Sequence, residues 1–244
     1  MNAPLNTNAL AIKVAYLEQA LRDAAAEHAP AALSSSLAVE DMVITDSILR
    51  NGLPIEIFTL DTGRLHAQTL DVLERVRERY GYSIAVFRPD QSKVDEYVRD
   101  LGLDAIYGSV ELRQRCCHIR KVEPLERALH GKRAWITGMR RSQSSTRREL
   151  LERELDPQRG LWKHNPLADW SEKDVWDYIR SYDVPYNVLQ DQGFRSIGCQ
   201  PCTRPTAAGE DLRAGRWWWE DPQTKECGLH KIAVDAATVS GSVR

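Results

Sequence analysis

The sequence lacks any long apolar run and any amino-terminal secretion signal. No stretch approaches the roughly 18 to 20 apolar residues that span a bilayer, and residues 1–8 show no basic segment leading into an apolar one. The formal net charge of −2 gives no pull of the whole protein toward nucleic acid or anionic membranes. Internal repeats and low-complexity tracts are absent as well. We therefore expect a cytoplasmic protein with neither a nucleic acid nor a membrane partner.

Charge is distributed unevenly along the 244 residues. Between positions 112 and 148 there are eleven Lys and Arg residues, against only Glu123 and Glu126. A basic segment in a slightly acidic protein indicates a local anionic ligand. The length is sufficient for one substantial α/β domain.

Apolar runs alternate with amphipathic segments, which predicts an α/β fold with a doubly wound, mostly parallel sheet. Strands are predicted at residues 31–33, 55–60, 83–87 and 133–137, and helices at 8–28, 41–50, 65–80, 92–101 and 116–129. In such sheets ligands bind beyond the carboxyl ends of the strands. Here those ends lie at residues 34–36, 61–63, 88 and 138–141.

The five cysteines are few but grouped. Cys116 and Cys117 are adjacent, Cys199 and Cys202 are three positions apart, and Cys227 stands alone. In a reducing compartment clustered thiols more often bind metal or react than form disulfides. A zinc site favours two Cys-x2–4-Cys pairs, which adjacent cysteines fit poorly because their side chains diverge. In a four-iron cluster each iron binds one thiolate, so adjacent cysteines can bind different irons. The spacing therefore favours a cluster over zinc and over four incidental thiols.

Cys227 is a candidate nucleophile. A reactive cysteine must be a thiolate at neutral pH, which requires cationic surroundings. Lys225 and His230 are close in sequence, and Arg213 and Arg216 lie upstream. Without such neighbours, an incidental surface cysteine would be an equally good interpretation.

Several motifs occur in a specific order, at residues 60–66 (LDTGRLH), 116–125 (CCHIRKVEPL), 137–144 (TGMRRSQS), 165–170 (NPLADW), 197–204 (IGCQPCTR), 213–220 (RAGRWWWE) and 225–230 (KECGLH). Their order over about residues 30–230 resembles the assimilatory sulfonucleotide reductases, specifically the iron–sulfur type of adenylylsulfate (APS) reductase. The resemblance implies an adenine nucleotide α-hydrolase-like fold and a 4Fe-4S cluster on the four paired cysteines. It also implies an oxidoreductase of sulfate assimilation and cysteine biosynthesis, in which APS and reduced thioredoxin, or glutaredoxin, give sulfite, AMP and the oxidised reductant.

The resemblance also implies roles for individual residues. Cys227 would carry an S-sulfocysteine intermediate, and the phosphosulfate anion would be held by Lys121, Arg213, Arg216 and His230. Lys121, one helical turn after Cys117, could also contact the cluster, although an ordinary solvated lysine remains an alternative. The adenosine pocket is expected to be lined by Ser34, Ser35, Ser36, Leu60, Asp61, Thr62 and Gly138. Arg140 and Arg141 follow a strand end and are candidates for phosphate or ribose binding, with exposed salt bridges equally expected.

One segment departs from the wider superfamily of PP-loop ATP pyrophosphatases. Their loop typically reads Ser-Gly-Gly-x-Asp-Ser, whereas residues 34–41 read SSSLAVED. The missing glycines disfavour ATP cleavage by an enzyme of that type. A reductase of 3′-phosphoadenylylsulfate (PAPS), or dual use of APS and PAPS, stays open as the closer alternative. A zinc protein that binds nucleic acid through its basic segment is disfavoured, because the whole chain is acidic.

Three segments are expected along the chain. Residues 1–29 form an amino-terminal helix, and residues 30–204 form the nucleotide-binding and iron–sulfur domain. Residues 205–244, in which Gly and Pro interrupt any regular pattern, are expected to form an irregular, mobile tail that carries Cys227. The sequence is compatible with a homo-oligomer.

Overall fold

A computed structural model of the chain describes residues 7–144, 147–221 and 225. Strands and helices alternate through most of this range, as the hydrophobic pattern requires. The seven α-helices of the described residues are α1 (Thr7–Glu27), α2 (Val39–Arg50), α3 (Ala67–Tyr80), α4 (Gln91–Leu101), α5 (Val110–Cys117), α6 (Glu123–Leu129) and α7 (Glu172–Ser181). The strands are β1 (Ala31–Ser35), β2 (Ile55–Leu60), β3 (Ala85–Phe87), β4 (Ala134–Ile136), β5 (Arg153–Asp156) and β6 (Leu161–His164).

The six strands form one sheet in the order β3-β2-β1-β4-β6-β5. All neighbouring strands are parallel except β5 and β6, which pair antiparallel. In the register of the central strands, Ala31 pairs with both Ile55 of β2 and Ala134 of β4. The carboxyl ends of β1, β2 and β4 therefore meet at one edge of the sheet, where a ligand site is expected.

Each face of the sheet packs against helices, because successive strand residues point to opposite sides. Leu33 and Ile57 belong to a core shared with α1, α2, α3 and α7, whereas Ala32 and Phe58 pack with α6 on the other face. The predicted fold class, an α/β doubly wound and mostly parallel sheet with an irregular cysteine-bearing carboxyl-terminal segment, is confirmed.

Several element boundaries differ from those predicted. The strands β5 and β6 were not predicted. β5 is a short, polar edge strand (RELD) with two exposed positions, and β6 is only four residues long, two of them polar (LWKH). The helix predicted at residues 116–129 instead begins at Val110, where the Ser109 hydroxyl accepts a hydrogen bond from the Leu112 amide at 3.2 Å. It is also interrupted by a π-helical turn at His118–Val122. A π-turn inserts an extra residue, so Lys121 is not on a regular helical turn after Cys117.

The ends of the described chain pack onto the sheet domain. Leu17 and Leu21 of α1 are buried in the same core as the sheet. Residues 205–221 contain no α-helix or strand, yet Thr203 bridges to Arg216 and Trp217 is buried. The three-part division of the chain, including mobility of the tail, stays a prediction. In the described part of the chain, no helix is both long and apolar enough to cross a membrane.

Candidate functional site

A solvent-accessible cavity lies at the carboxyl ends of β1, β2 and β4. Of the residues expected for adenosine, the structure brings six together here: Ser34, Ser35, Ser36, Leu60, Thr62 and Gly138. Two of the three serine hydroxyls accept hydrogen bonds from other groups of the protein. Ser34 Oγ accepts a hydrogen bond from Trp135 Nε1 at 2.6 Å, and Ser35 Oγ accepts one from the Leu37 amide at 3.2 Å.

Asp41 joins the two loops that form this end of the cavity. Its carboxylate accepts hydrogen bonds from the amide and hydroxyl of Ser36, at 2.7 and 2.5 Å, and from the Gly138 amide. A Cβ atom on Gly138 would lie only 2.3 Å from Asp41 Oδ1, so this close approach requires glycine. Burial raises the pKa of Asp41 to about 6, against the opposing effect of these hydrogen bonds. A carboxylate thus organises this loop, which has no glycine among residues 34–41.

Five cations line the same cavity. The structure places Lys121, Arg213 and Arg216 at it, as the sequence predicted, together with Arg147 and Arg195, which sequence reasoning missed. Arg147 belongs to the basic segment and could have been selected on that signal. Arg195 follows no strand end and belongs to no motif, so nothing in the sequence marked it.

Three residues expected at the substrate do not line the cavity. Arg140 is buried and donates to Glu40 Oε1 through Nε at 3.1 Å and Nη2 at 2.8 Å. Arg141 pairs with Asp169 and donates to the Leu150 carbonyl at 2.7 Å. Asp61, beside the cavity, accepts from the Gly63 amide and from Arg88. Their contacts give these three side chains structural partners, and a role at the substrate stays a prediction without support.

The four paired cysteines come together in a second, smaller cavity. Cys116 and Cys117 lie at the end of α5, and Cys199 and Cys202 flank a 3-10 turn more than eighty residues later. All four thiols are free and buried. The loop after β2 fixes the second pair: the Gln200 amide donates to the Arg64 carbonyl at 2.8 Å, and Thr62 Oγ1 lies 3.2 Å from Cys199 Sγ.

The donor set of this cavity fits a polynuclear cluster. Burial raises the pKa of Cys116, which Arg120 opposes, and raises that of Cys202 to about 11, so a metal would have to displace their protons. Among the described residues, no group of three or more His, Cys, Asp or Glu side chains is arranged to hold a metal ion, so the fit rests on the chemistry of four thiol donors and not on their geometry. Four irons would need only one sulfur each. The buried Trp217 Nε1, which has no hydrogen-bond partner in the described structure, adds a donor at this cavity.

Lys121 and Trp217 line both cavities. They therefore form part of the boundary between the cation-lined cavity and the cysteines. The positive charge of Lys121 lowers the pKa of Cys202, against the larger effect of burial. Lys121 can thus interact electrostatically with Cys202 and with a ligand in the larger cavity, although the π-helical turn takes it off the regular helical turn after Cys117 on which the prediction was based.

Arg113 connects the cysteine helix to the end of the described chain. Its side chain is 0% exposed and donates to Glu220 through Nε at 2.8 Å and Nη2 at 2.7 Å. The guanidinium also stacks 4.5 Å from the Trp217 ring centroid and hydrogen-bonds Cys117. The Trp217 amide donates to the Cys202 carbonyl at 3.1 Å. The segment 217–220 is thereby fastened to both cysteine pairs.

Cys227 and His230 lie outside the described residues, so their predicted roles are not tested by the structure. The neighbouring Lys225 is described. Its carbonyl accepts a hydrogen bond at 3.0 Å from Nη2 of Arg213, one of the cations that line the larger cavity. The chain therefore contacts a residue that lines the cavity two positions before Cys227.

The sheet order and the cavity at its carboxyl edge define an α/β protein of the adenine nucleotide α-hydrolase-like class. FMN adenylyltransferase of Candida glabrata in complex with ATP shares this fold, with a TM-score of 0.59 at 13% identity over 96% of this chain and 81% of that one. A closer match is phosphoadenylyl-sulfate (PAPS) reductase from Candida auris. Its TM-score is 0.67 at 26% identity, over 84% of this chain and 100% of that one.

Residues 30–205 match the phosphoadenosine phosphosulfate reductase domain, and the chain belongs to this enzyme family. Adenosine 5'-phosphosulfate reductase of Burkholderia cepacia is 58% identical over 93% of this chain and 91% of its own length. The protein of the same name from Allochromatium vinosum is 52% identical over 93% of this chain and 89% of its own length. The resemblance inferred from the motifs is thus confirmed.

Asp41→Asn is expected to change the pH dependence of stability. A folded-state pKa of about 6, above the usual 3.8, means that the stability contributed by Asp41 is present below about pH 4 and lost as the pH rises through about 6. The free energy of unfolding of the native protein, relative to Asp41→Asn, should therefore fall by up to about 3 kcal/mol over this interval. Urea unfolding across the interval measures it, with the exposed Asp100→Asn as control. Parallel profiles for the native protein and Asp41→Asn would contradict the assignment.

Glu220→Gln is expected to destabilise the protein by about 3 kcal/mol, because it leaves the buried charge of Arg113 without its counterion. The matched control is Glu74→Gln, which breaks an exposed ion pair with Arg77 and should change stability little. Denaturant midpoints of the two variants give the comparison. Equal midpoints would show that Arg113 does not depend on Glu220.

Proposed function

We propose that this enzyme reduces APS to sulfite and AMP with electrons from reduced thioredoxin, through an S-sulfocysteine on Cys227. The observation that carries the proposal is the shared boundary of the two cavities. A cation-lined nucleotide cavity adjoins a buried four-cysteine site, and Lys121 and Trp217 line both. The names of the relatives from Burkholderia cepacia and Allochromatium vinosum support APS as the substrate.

The cavity offers separate environments for the two parts of APS. The adenosine would bind at the strand ends, where Ser34, Ser35, Ser36, Leu60, Thr62 and Gly138 provide short side chains and backbone groups. The phosphosulfate would bind the cations Lys121, Arg213 and Arg216, with His230 joining them from the tail. Negative charge that grows on the departing phosphate is stabilised by such fixed cations.

In the first step, the Cys227 thiolate attacks the sulfur of the sulfate group. A sulfur–sulfur bond forms and the bond from sulfur to the bridging oxygen breaks, so that AMP leaves with the electron pair of that bond. Lys225 supports this placement, because its carbonyl is held by Arg213 and two residues span at most about 7 Å. Cations near the tail would favour the thiolate.

In the second step, a thiolate of thioredoxin attacks Cys227 Sγ and displaces sulfite. The resulting mixed disulfide is resolved by the second thioredoxin thiol, which frees Cys227 as a thiolate and leaves thioredoxin oxidised. The two thiols thus supply both electrons that sulfur(VI) needs to become sulfur(IV). Glutaredoxin carries the same chemistry and is the alternative reductant. A reducing compartment, such as the cytoplasm, suits both steps.

Cys116, Cys117, Cys199 and Cys202 would hold a 4Fe-4S cluster. When bound, it would supply a structural cross-link between the two cysteine pairs and a local charge beside the phosphosulfate site. Lys121 would act in both environments, orienting the substrate anion and balancing the charge at Cys202. No electron has to pass through these cysteines, because the reductant provides both.

Anaerobic turnover with alternative nucleotides tests the proposed reaction. With reduced thioredoxin present, we expect sulfite and AMP from APS, and at most slow sulfite formation from PAPS. A 3′-phosphate would need one or two further cations, and Arg147 and Arg195 also line the cavity, so PAPS is the second candidate substrate. ATP should release no pyrophosphate. Sulfite from PAPS alone, or pyrophosphate from ATP, would contradict APS reduction.

Cys199→Ala should lose iron, activity and local folding together, because Cys199 is buried among the other three thiols and held by the loop after β2. The matched control is Cys227→Ser, which should keep its full content of iron and acid-labile sulfide while losing activity. Iron and sulfide are measured on anaerobically purified protein. Full activity of Cys199→Ala without iron would refute the proposed cluster site.

A further inference from the structure

Three consecutive tryptophans, at positions 217 to 219, occupy three different environments. Trp217 is 1% exposed, and the guanidinium groups of Arg113 and Arg216 lie 4.5 and 4.6 Å from its ring centroid. Trp219 is half-buried, whereas Trp218 is 41% exposed. Packing of the segment therefore explains Trp217 and Trp219 but leaves much of the Trp218 indole in solvent.

Trp218 is part of a surface cluster that we call the aromatic patch, formed by Tyr107, Trp218 and Trp219. The rings of Tyr107 and Trp219 lie 4.5 Å apart, and those of Trp218 and Trp219 lie 4.8 Å apart and nearly perpendicular. Tyr107 is 45% exposed, and its hydroxyl donates to the Pro201 carbonyl at 2.9 Å. The patch is thus attached to the loop between Cys199 and Cys202.

Buried contacts hold the aromatic patch in place. The ion pair of Arg113 with Glu220 fastens the residue directly after Trp219, and the Glu220 amide donates to the Trp217 carbonyl at 2.9 Å. A surface whose side chains are already ordered loses less entropy when a partner binds. Exposed Trp and Tyr in such a setting are the residue types enriched among binding hot spots.

We propose that the aromatic patch is the docking surface for the thioredoxin that releases sulfite from Cys227. This inference rests on the proposed function, because it names the partner surface for the second step. The patch is adjacent in sequence to the segment that carries Cys227: Asp221 directly follows the patch and its Glu220 anchor, and the Lys225 carbonyl, two residues before Cys227, accepts a hydrogen bond from Arg213. The eight residues from Trp219 to Cys227 span at most about 28 Å, so a protein whose thiol attacks Cys227 comes within this distance of the patch.

Three reactions of the variant Trp218→Ser separate the docking of thioredoxin from the reaction of Cys227 with APS. The first is formation of the Cys227 adduct from APS without a reductant, the second is turnover with dithiothreitol, and the third is turnover with thioredoxin. We expect the first two to match the native protein. The KM for thioredoxin should rise about tenfold, as for loss of a hot-spot aromatic, and Trp218→Phe should restore most of it.

Leu155→Ser is the matched control. Leu155 is 54% exposed on the edge strand β5, at the opposite end of the sheet from β3, so its replacement should leave the KM for thioredoxin unchanged. An unchanged KM for thioredoxin in Trp218→Ser would overturn the proposal. A change of oligomeric state without a change in this KM would also overturn it, because the patch would then bind a second copy of the chain. Failure of the native protein to form the adduct would instead refute the proposed function.

Discussion

The buried charge of Arg113 is the constraint on which the arrangement of the site depends. A guanidinium without solvent contact needs a counterion, and Glu220, 107 residues away in sequence, provides both hydrogen-bonding oxygens. This pair brings the carboxyl-terminal segment across the helix that ends in Cys116 and Cys117. The same guanidinium stacks on Trp217, which lines both cavities. One ion pair therefore positions the cysteine helix, the boundary residue Trp217 and the segment up to Glu220 relative to one another.

The parallel sheet supplies the other half of the site. Strand ends are natural places for a nucleotide because several loops converge there and leave backbone groups without strand partners. In this chain the loop after β1 is organised by the carboxylate of Asp41, which also contacts the Gly138 amide. The loop after β2 contributes Thr62 to the larger cavity and holds Cys199. One loop of the fold therefore contacts both the larger cavity and the cysteines.

Sequence patterns predicted the parts of the structure that depend on local order. The apolar runs of β1, β2 and β4 predicted the sheet. The cysteine spacing predicted one site for the four paired cysteines, which do line one cavity, whereas the cluster itself stays a prediction. The patterns could not show contacts that only long-range packing creates, such as the pairing of Arg113 with Glu220. They placed Arg140 at the substrate because it follows a strand end, whereas it is buried against Glu40, 100 residues away. β5 escaped detection because an edge strand needs little apolar surface.

The most direct test of this account is the mass of the intact protein after anaerobic mixing with APS in the absence of any reductant. The account predicts a gain of one sulfonate group, located on the Cys227 peptide, absent from Cys227→Ser and released as sulfite by reduced thioredoxin. PAPS in a parallel sample would report the 3′-phosphate preference. No adduct from either nucleotide, in protein whose iron and sulfide contents are complete, would contradict Cys227 as the nucleophile and with it the two-step reaction.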